Sequence, residues 1–392
     1  MKERKNSPAN LPPKSSPAVP PAPDKKKKPA LSLSIQASVA ASAGVSRPLS
    51  PALRIGFVPL CDAAPIIMAK ELGLYEKYGL RVELSREPGW ATIRDKLIYR
   101  ELDAAHACAP MTLSTTLGLG SIAMPCVTGL VLSLNGNAIV LSTALRRAGV
   151  EDGETLRAYL KERSGPPLVL GVPFYYSSHH FLLRLWLKTH RIDLDRDVQI
   201  AVVPPPQMTD NLRLGHLDGY CVAGPWPSTA IADGLGWCAA LGAEIAPDHP
   251  DKILMVREEF ADSRAAEHQA LILALLEACR ICDMPEHRER VFETLAQPRY
   301  VNASILALRH SFSGSFDIGK GGSGLPRTAL YHFFGRAINE PSGSKAAWLL
   351  ARLNQISARP HLPGISTQCF RGDIYHEALG ALPKELKTEL AV

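Results

Sequence analysis

Leu53-Arg54-Ile55-Gly56-Phe57-Val58-Pro59-Leu60 opens the stretch that decides the fold. Its apolar run reads as a strand. Ile66 to Leu74 follows with helical spacing, and Gly79 is placed to stop that helix before a second strand-like run, Leu80-Arg81-Val82-Glu83-Leu84. Gly89-Trp90-Ala91 leads into a helical pattern from Thr92 to Tyr99 that carries Arg94 and Lys96. Glu101-Leu102-Asp103-Ala104-Ala105-His106 then passes through Ala109-Pro110-Met111 towards Leu134-Asn135-Gly136-Asn137-Ala138-Ile139. Strands alternating with helices, with polar residues at the strand ends, predict an α/β ligand-binding lobe.

Downstream of Ser142 the pattern restarts. Glu151 to Arg163 reads as a polar helix and Ser164-Gly165-Pro166-Pro167 as a break. Leu168-Val169-Leu170-Gly171-Val172-Pro173 reads as a new buried strand. A helix from Ser177 to His190, a strand from Val198 to Val203, a helix from Gln207 to Leu214 and a strand from Leu217 to Val222 complete a second unit, which ends at Ala223-Gly224-Pro225-Trp226. Ile253-Leu254-Met255-Val256 would return the chain to the first unit, and long helical patterns fill Ser263 to Ala296 and Lys345 to Ser357. The expected organisation is a tail over residues 1–50, the first part of lobe 1 over 51–143, lobe 2 over 144–245, and a return to lobe 1 with C-terminal helices over 246–392. Two α/β lobes joined by crossing strands place a ligand in the cleft between them.

The net charge of +6 belongs to the tail. Residues 1–50 hold nine of the 44 basic and two of the 38 acidic residues, which leaves the remainder balanced at 35 against 36. Nine prolines and Lys25-Lys26-Lys27-Lys28 in the same stretch predict disorder there. The folded body therefore shows no charge excess of the kind that binds nucleic acid directly. The tail imitates an export signal poorly, because its apolar part, Ala30 to Ile35, is diluted by serines and begins late. No cysteine precedes Cys61 to carry a lipid anchor, and no apolar run approaches the roughly 20 residues that span a bilayer. Cys279 and Cys282 lie one helical turn apart in an apolar helix, where two small packing residues are the plain reading. No second pair completes a zinc site, so neither metal nor cofactor is expected.

The motifs in combination resemble the nitrate and bicarbonate substrate-binding proteins of ABC transporters. They are similar also to a soluble relative, the nitrate/nitrite sensor that works with an RNA-binding antiterminator. The residues that carry the resemblance are Leu53 to Leu60, Trp90-Ala91-Thr92-Ile93-Arg94-Asp95-Lys96, Glu101 to His106, Leu134 to Ile139, Val203-Pro204-Pro205-Pro206-Gln207-Met208 and His249-Pro250-Asp251-Lys252. The resemblance implies a two-lobed periplasmic-binding-protein-like (type II) α/β fold that binds a small planar oxyanion without chemistry. It places the ligand on Trp90, Asn137, His179, Ala223 and Lys252. The family usually has Gln at Asn137, Gly at Ala223, and a glycine-rich approach where this chain has Tyr175-Tyr176-Ser177-Ser178.

Such residues suit the ligand. Nitrate is flat, monovalent and weakly hydrated, and it needs a positive charge, in-plane donors and an aromatic wall. Lys252 supplies the charge, His179 and Asn137 the donors, and Trp90 a flat face or its indole N–H. Taken singly, the same residues read as a surface lysine, a packing tryptophan, a helix-surface histidine and a turn asparagine. An enzyme on the same fold is the rival class, with Cys61, Cys108 or Cys221 as nucleophile. With weak export signals, the expected function is a cytoplasmic nitrate/nitrite sensor partnered by an antiterminator. The alternative is the substrate-binding component of a nitrate or bicarbonate ABC transporter, periplasmic or membrane-associated and partnered by a permease.

Overall fold

Leu53–Phe57 (β1) has one exposed position and Val82–Arg86 (β2) only one buried one, in contrast with full burial of Ala104–Cys108 (β3) and Cys126–Asn135 (β4). Runs buried along their whole length belong at the centre of a sheet covered on both faces. In the computed structural model, which describes residues 51–313, 330–357, 360 and 364–390, they lie there. The expected disorder of residues 1–50 falls outside the described residues.

Asn137–Ser142 (β5), Leu168–Val172 (β6), Val198–Val202 (β7), Gly219–Ala223 (β8) and Gly236–Leu241 (β9) follow, then Pro250–Arg257 (β10) and Tyr331–His332 (β11). They form two sheets: six strands in the order β11-β4-β10-β3-β1-β2, and five in the order β7-β6-β8-β5-β9. Within the first sheet β1 runs parallel to β2 and β3, while β10 lies antiparallel between β3 and β4. The second sheet has β6 parallel to β7 and β8, with β5 antiparallel between β8 and β9. Helices cover the sheets. The longest described helix, Ala265–Asp283, buries Leu271, Ile272, Leu275, Leu276 and both Cys279 and Cys282.

The chain changes sheet twice at nearly one place. Between β4 and β5, Asn135 and Gly136 both take positive φ, 63° and 92°. A Cβ on Gly136 would stand 2.1 Å from the Tyr331 ring. The return runs from β9 to β10, and Asn135 N–H donates to the His249 carbonyl at 3.1 Å, so the two crossings are tied together. Gly136→Ala is therefore expected to lower unfolding free energy by about 2–4 kcal/mol, from left-handed strain plus overpacking on Tyr331. Urea denaturation checks it, and a change below about 1 kcal/mol would mean that Tyr331 yields freely.

The helical pattern from Ser263 to Ala296 is broken. Met284, which precedes Pro285, is extended at φ −73° and ψ 123°, as the proline ring demands of its predecessor. The helix stops at Asp283, whose carboxylate accepts the amides of Phe333 and Phe334 at 3.0 and 2.8 Å. A new helix starts at Arg288. All eight cysteines are buried and unbridged.

Candidate functional site

Side chains from both sheets converge where the chain crosses between them. Trp90 is the first residue of the helix Trp90–Ile98, and its indole lies fully buried with no partner for Nε1. The ring packs against His106 of β3 at 5.2 Å between centroids, and Lys252 Nζ stands 5.6 Å from its centre. Lys252 projects from β10, opposite Cys108 on one side and Ser133 on the other. Asn137 is the first residue of β5 and faces Ala223, the last of β8. His179 occupies the first turn of the helix Ser178–Thr189, capped by Ser177. Ser178 Oγ donates to the Pro250 carbonyl at 3.1 Å and thereby docks this helix start beside Asp251 and Lys252.

Trp90, Asn137, His179, Ala223 and Lys252 are thus all fully buried. Trp90 and Lys252 are joined through the indole face, and Asn137 and Ala223 through the ladder. His179 is within electrostatic reach of Lys252, Asp251, Asp62 and His249. Ala223 has only a methyl and backbone to offer, and Gly224 after it is engaged on both sides. Its N–H donates to Tyr331 Oη, and its carbonyl accepts from Cys61 N–H, each at 2.8 Å.

Four polar residues in the cluster escaped the sequence reading of the site. Asp62, in the turn after β1, lies 2.9 Å from Lys252 Nζ through one carboxylate oxygen and 2.9 Å from His106 Nε2 through the other. Asp251 closes on the same ammonium from its own strand. His249 Nδ1 lies 2.8 Å from the Ala246 carbonyl and must donate to it, so His249 Nε2 accepts from Asn137 Nδ2 at 3.1 Å. Asp251 and His249 were within reach, because they sit beside Lys252 in the quoted His249-Pro250-Asp251-Lys252. Asp62 carried no signal, since only the fold brings the end of β1 to β10.

Burial sets the protonation states. It pushes His179 down to about 3, with Lys252 adding to the shift, and it lowers His106 and His249 too. For Lys252 burial acts downwards, but Asp251 and Asp62 outweigh it and raise the ammonium above its usual range. Asp251 is lowered, because Lys252 overcomes the upward push of burial. The thiols are unreactive by the same physics: burial drives Cys61, Cys108 and Cys221 well up.

Contacts across the cleft seal the cluster. Trp226 Nε1 donates to the Pro59 carbonyl at 3.2 Å, Ser228 and Ser311 hydroxyls meet at 2.8 Å, and Arg94 lies 5.8 Å over the Phe174 ring. A separate open concavity of about 490 Å³ is lined by Leu134, Asp248, His332, Arg336 and Lys345. Its amine is committed, since Lys345 Nζ donates to the carbonyls of Ala337, Ile338 and Glu340. Among the described residues no group of His, Cys, Asp or Glu has metal-holding geometry, and no helix is long and apolar enough to cross a membrane.

Residues 46–296 match the family model described as the NMT1-like family. The chain belongs to the NMT1-like family. It is 41% identical over 303 residues to the nitrate import ATP-binding protein NrtC of Synechocystis, a match that covers 77% of this chain and 45% of that protein. It is 36% identical over 303 residues to the bicarbonate transport ATP-binding protein CmpC of Synechococcus elongatus, covering 77% and 44%. The chain therefore spans about half the length of these curated relatives. Among solved structures it matches the periplasmic nitrate-binding protein NrtA from Synechocystis with a TM-score of 0.80 and 27% identity, over 86% of this chain and 90% of that one.

The NMT1-like chain thus has the two-sheet α/β fold of periplasmic binding proteins, as the resemblance implied. The cytoplasmic expectation is corrected. It leaned on a weak export signal within residues 1–50, and composition of a tail is a poor guide to compartment. The homologue with the same fold over nearly its whole length is periplasmic.

Proposed function

We propose that this NMT1-like protein is the substrate-binding component of an ABC importer for a small planar oxyanion, nitrate or nitrite, with Trp90, Asn137, His179, Ala223 and Lys252 lining the site. One observation carries the reading: Trp90 Nε1 and both ring nitrogens of His179 are fully buried with no partner, within reach of the lysine of the cluster. Buried polar groups of this kind are rare unless a ligand or water completes them. Their chemistry, an aromatic wall with convergent N–H donors beside a helix start, suits a flat anion. The partners that go with this role are a permease and an ATP-binding subunit. The sensor role and its antiterminator partner have no observation of their own in the cleft, and the importer reading replaces them.

A second reading, bicarbonate, is favoured by the likeness to CmpC. Calorimetric titration separates the candidates. Nitrate or nitrite is expected to bind one-to-one with micromolar affinity, about −8 kcal/mol. Binding of bicarbonate alone would move the assignment to the second reading. No binding of any of the three would overturn both.

A further inference from the structure

We propose that the cleft takes up its oxyanion together with one proton, held on His179. This deepens the oxyanion reading above and rests on it.

Two independent counts lead there. The first is charge. The only buried ammonium in the cluster, Lys252, already touches two fully buried carboxylates, Asp62 at 2.9 Å and Asp251 from the adjoining position. Its three neighbouring histidines are neutral, because burial lowers each of them. The empty cluster therefore carries one net negative charge. A monovalent anion sealed in the same enclosure would make it two, in surroundings where unpaired charge is expelled by a shift in protonation.

The second count is of donors and acceptors. Because His249 Nδ1–H must donate to the Ala246 carbonyl, Asn137 spends its amide N–H on His249 Nε2. Asn137 Oδ1 and Asp251 Oδ1 are left as buried acceptors without partners. Nitrate only accepts, so it cannot satisfy them. Neutral His179 brings one donor and one acceptor, and both its ring nitrogens lack protein partners. Protonated, it brings two donors, one for the anion and one for an acceptor in the cluster.

His179 is the group placed to change. The charged and titratable groups that act on it are Lys252, Asp251 and His249 from β10 and its approach, and Asp62 from the turn after β1. On its own helix, His180 is turned away, with Nδ1 2.7 Å from the Tyr175 carbonyl. Burial, with Lys252 adding to it, holds the proton off while the site is empty, and the anion opposes both. His106 is less suited, since Asp62 already occupies its Nε2 side at 2.9 Å.

The sign of the pH dependence follows. The anion binds the protonated form, and burial holds the imidazole of the empty site well below its ordinary range. Affinity therefore strengthens as pH falls, and it weakens as pH rises through the range between the free and bound values.

Calorimetry with sodium nitrate on the full chain, from about pH 6 to about pH 8 in two buffers of unlike ionisation enthalpy, tests this linkage. Net proton uptake on nitrate binding is expected, largest at about pH 6, with the Kd rising by up to about tenfold per pH unit. His179→Gln keeps a donor and an acceptor but cannot titrate, so its weaker binding should be flat with pH and free of proton uptake. Asp251→Asn provides a second reading should that variant fold poorly. It leaves Lys252 balanced by Asp62, and uptake should fall below about half a proton. Nitrate binding by the wild type with no proton uptake and a pH-independent Kd would overturn the proposal while leaving the oxyanion reading intact. Absence of binding by nitrate, nitrite and bicarbonate at every pH would overturn both.

Discussion

Lys252→Met is expected to destabilise the ligand-free protein by about 3–5 kcal/mol, as well as to abolish nitrate binding. The sequence alone gives the lysine one task, as countercharge to the ligand. In the structure it is also the cation between Asp62 and Asp251, all three fully buried. Removing it leaves two carboxylates facing each other in a closed interior, which is costlier than losing a surface pair. The double variant Lys252→Met/Asp251→Asn should recover much of the loss, since one of the stranded charges goes with it. Urea denaturation of the wild type, both single variants and the double closes the cycle. If Lys252→Met were as stable as the wild type, the triad would not exist in solution. Additive losses in the double would show that Lys252 and Asp251 are not coupled.

Acid should weaken the empty protein steeply, by about 4–6 kcal/mol between pH 7 and pH 5. Burial holds His179 at about 3 and His180 and His268 at about 4. His106 and His249 are lowered for the same reason. In the unfolded chain all of them titrate near about 6.5. Below that value the unfolded state binds more protons, so stability falls as pH drops towards the folded values. Asp251 acts with the same sign but later, because its lowered folded value contributes stability that is lost only below the ordinary carboxylate range. Denaturation midpoints at pH 7 and pH 5 decide it, and equal midpoints would mean that these imidazoles are already charged or reach water.

The alternation of strands and helices from Leu53 to Val222 was legible because each element carries its own period. β1, β6 and β7 begin where apolar runs predict them. β9 was missed, since Gly236-Trp237-Cys238-Ala239-Ala240-Leu241 is too rich in small residues to separate strand from helix. The helices Gly364–Cys369, Gly372–Gly380 and Lys384–Leu390 are short and half exposed, and their patterns are weak. For the cleft, the family resemblance named one residue from each of five elements. The residues that set its charge were not legible in the same way. Asp62 looks like an ordinary polar residue until the fold brings the turn after β1 against Lys252 of β10, whereas Asp251 sits beside that lysine in the quoted motif.

The tied crossings at Asn135 and His249 divide the cleft residues into those next to the tie and those on the helices beyond it. Asn137 lies two residues beyond Asn135 and Lys252 three beyond His249, both close to the tie between the crossings. Trp90 and His179 lie in the first turns of the helices that follow β2 and β6, one with each sheet. Were the sheets to turn about that tie, the first pair would keep its place and the second pair would separate. Capture of a ligand would then fall to a small, standing half-site beside the tie, and its residence time would be set by the half that must be reassembled over it.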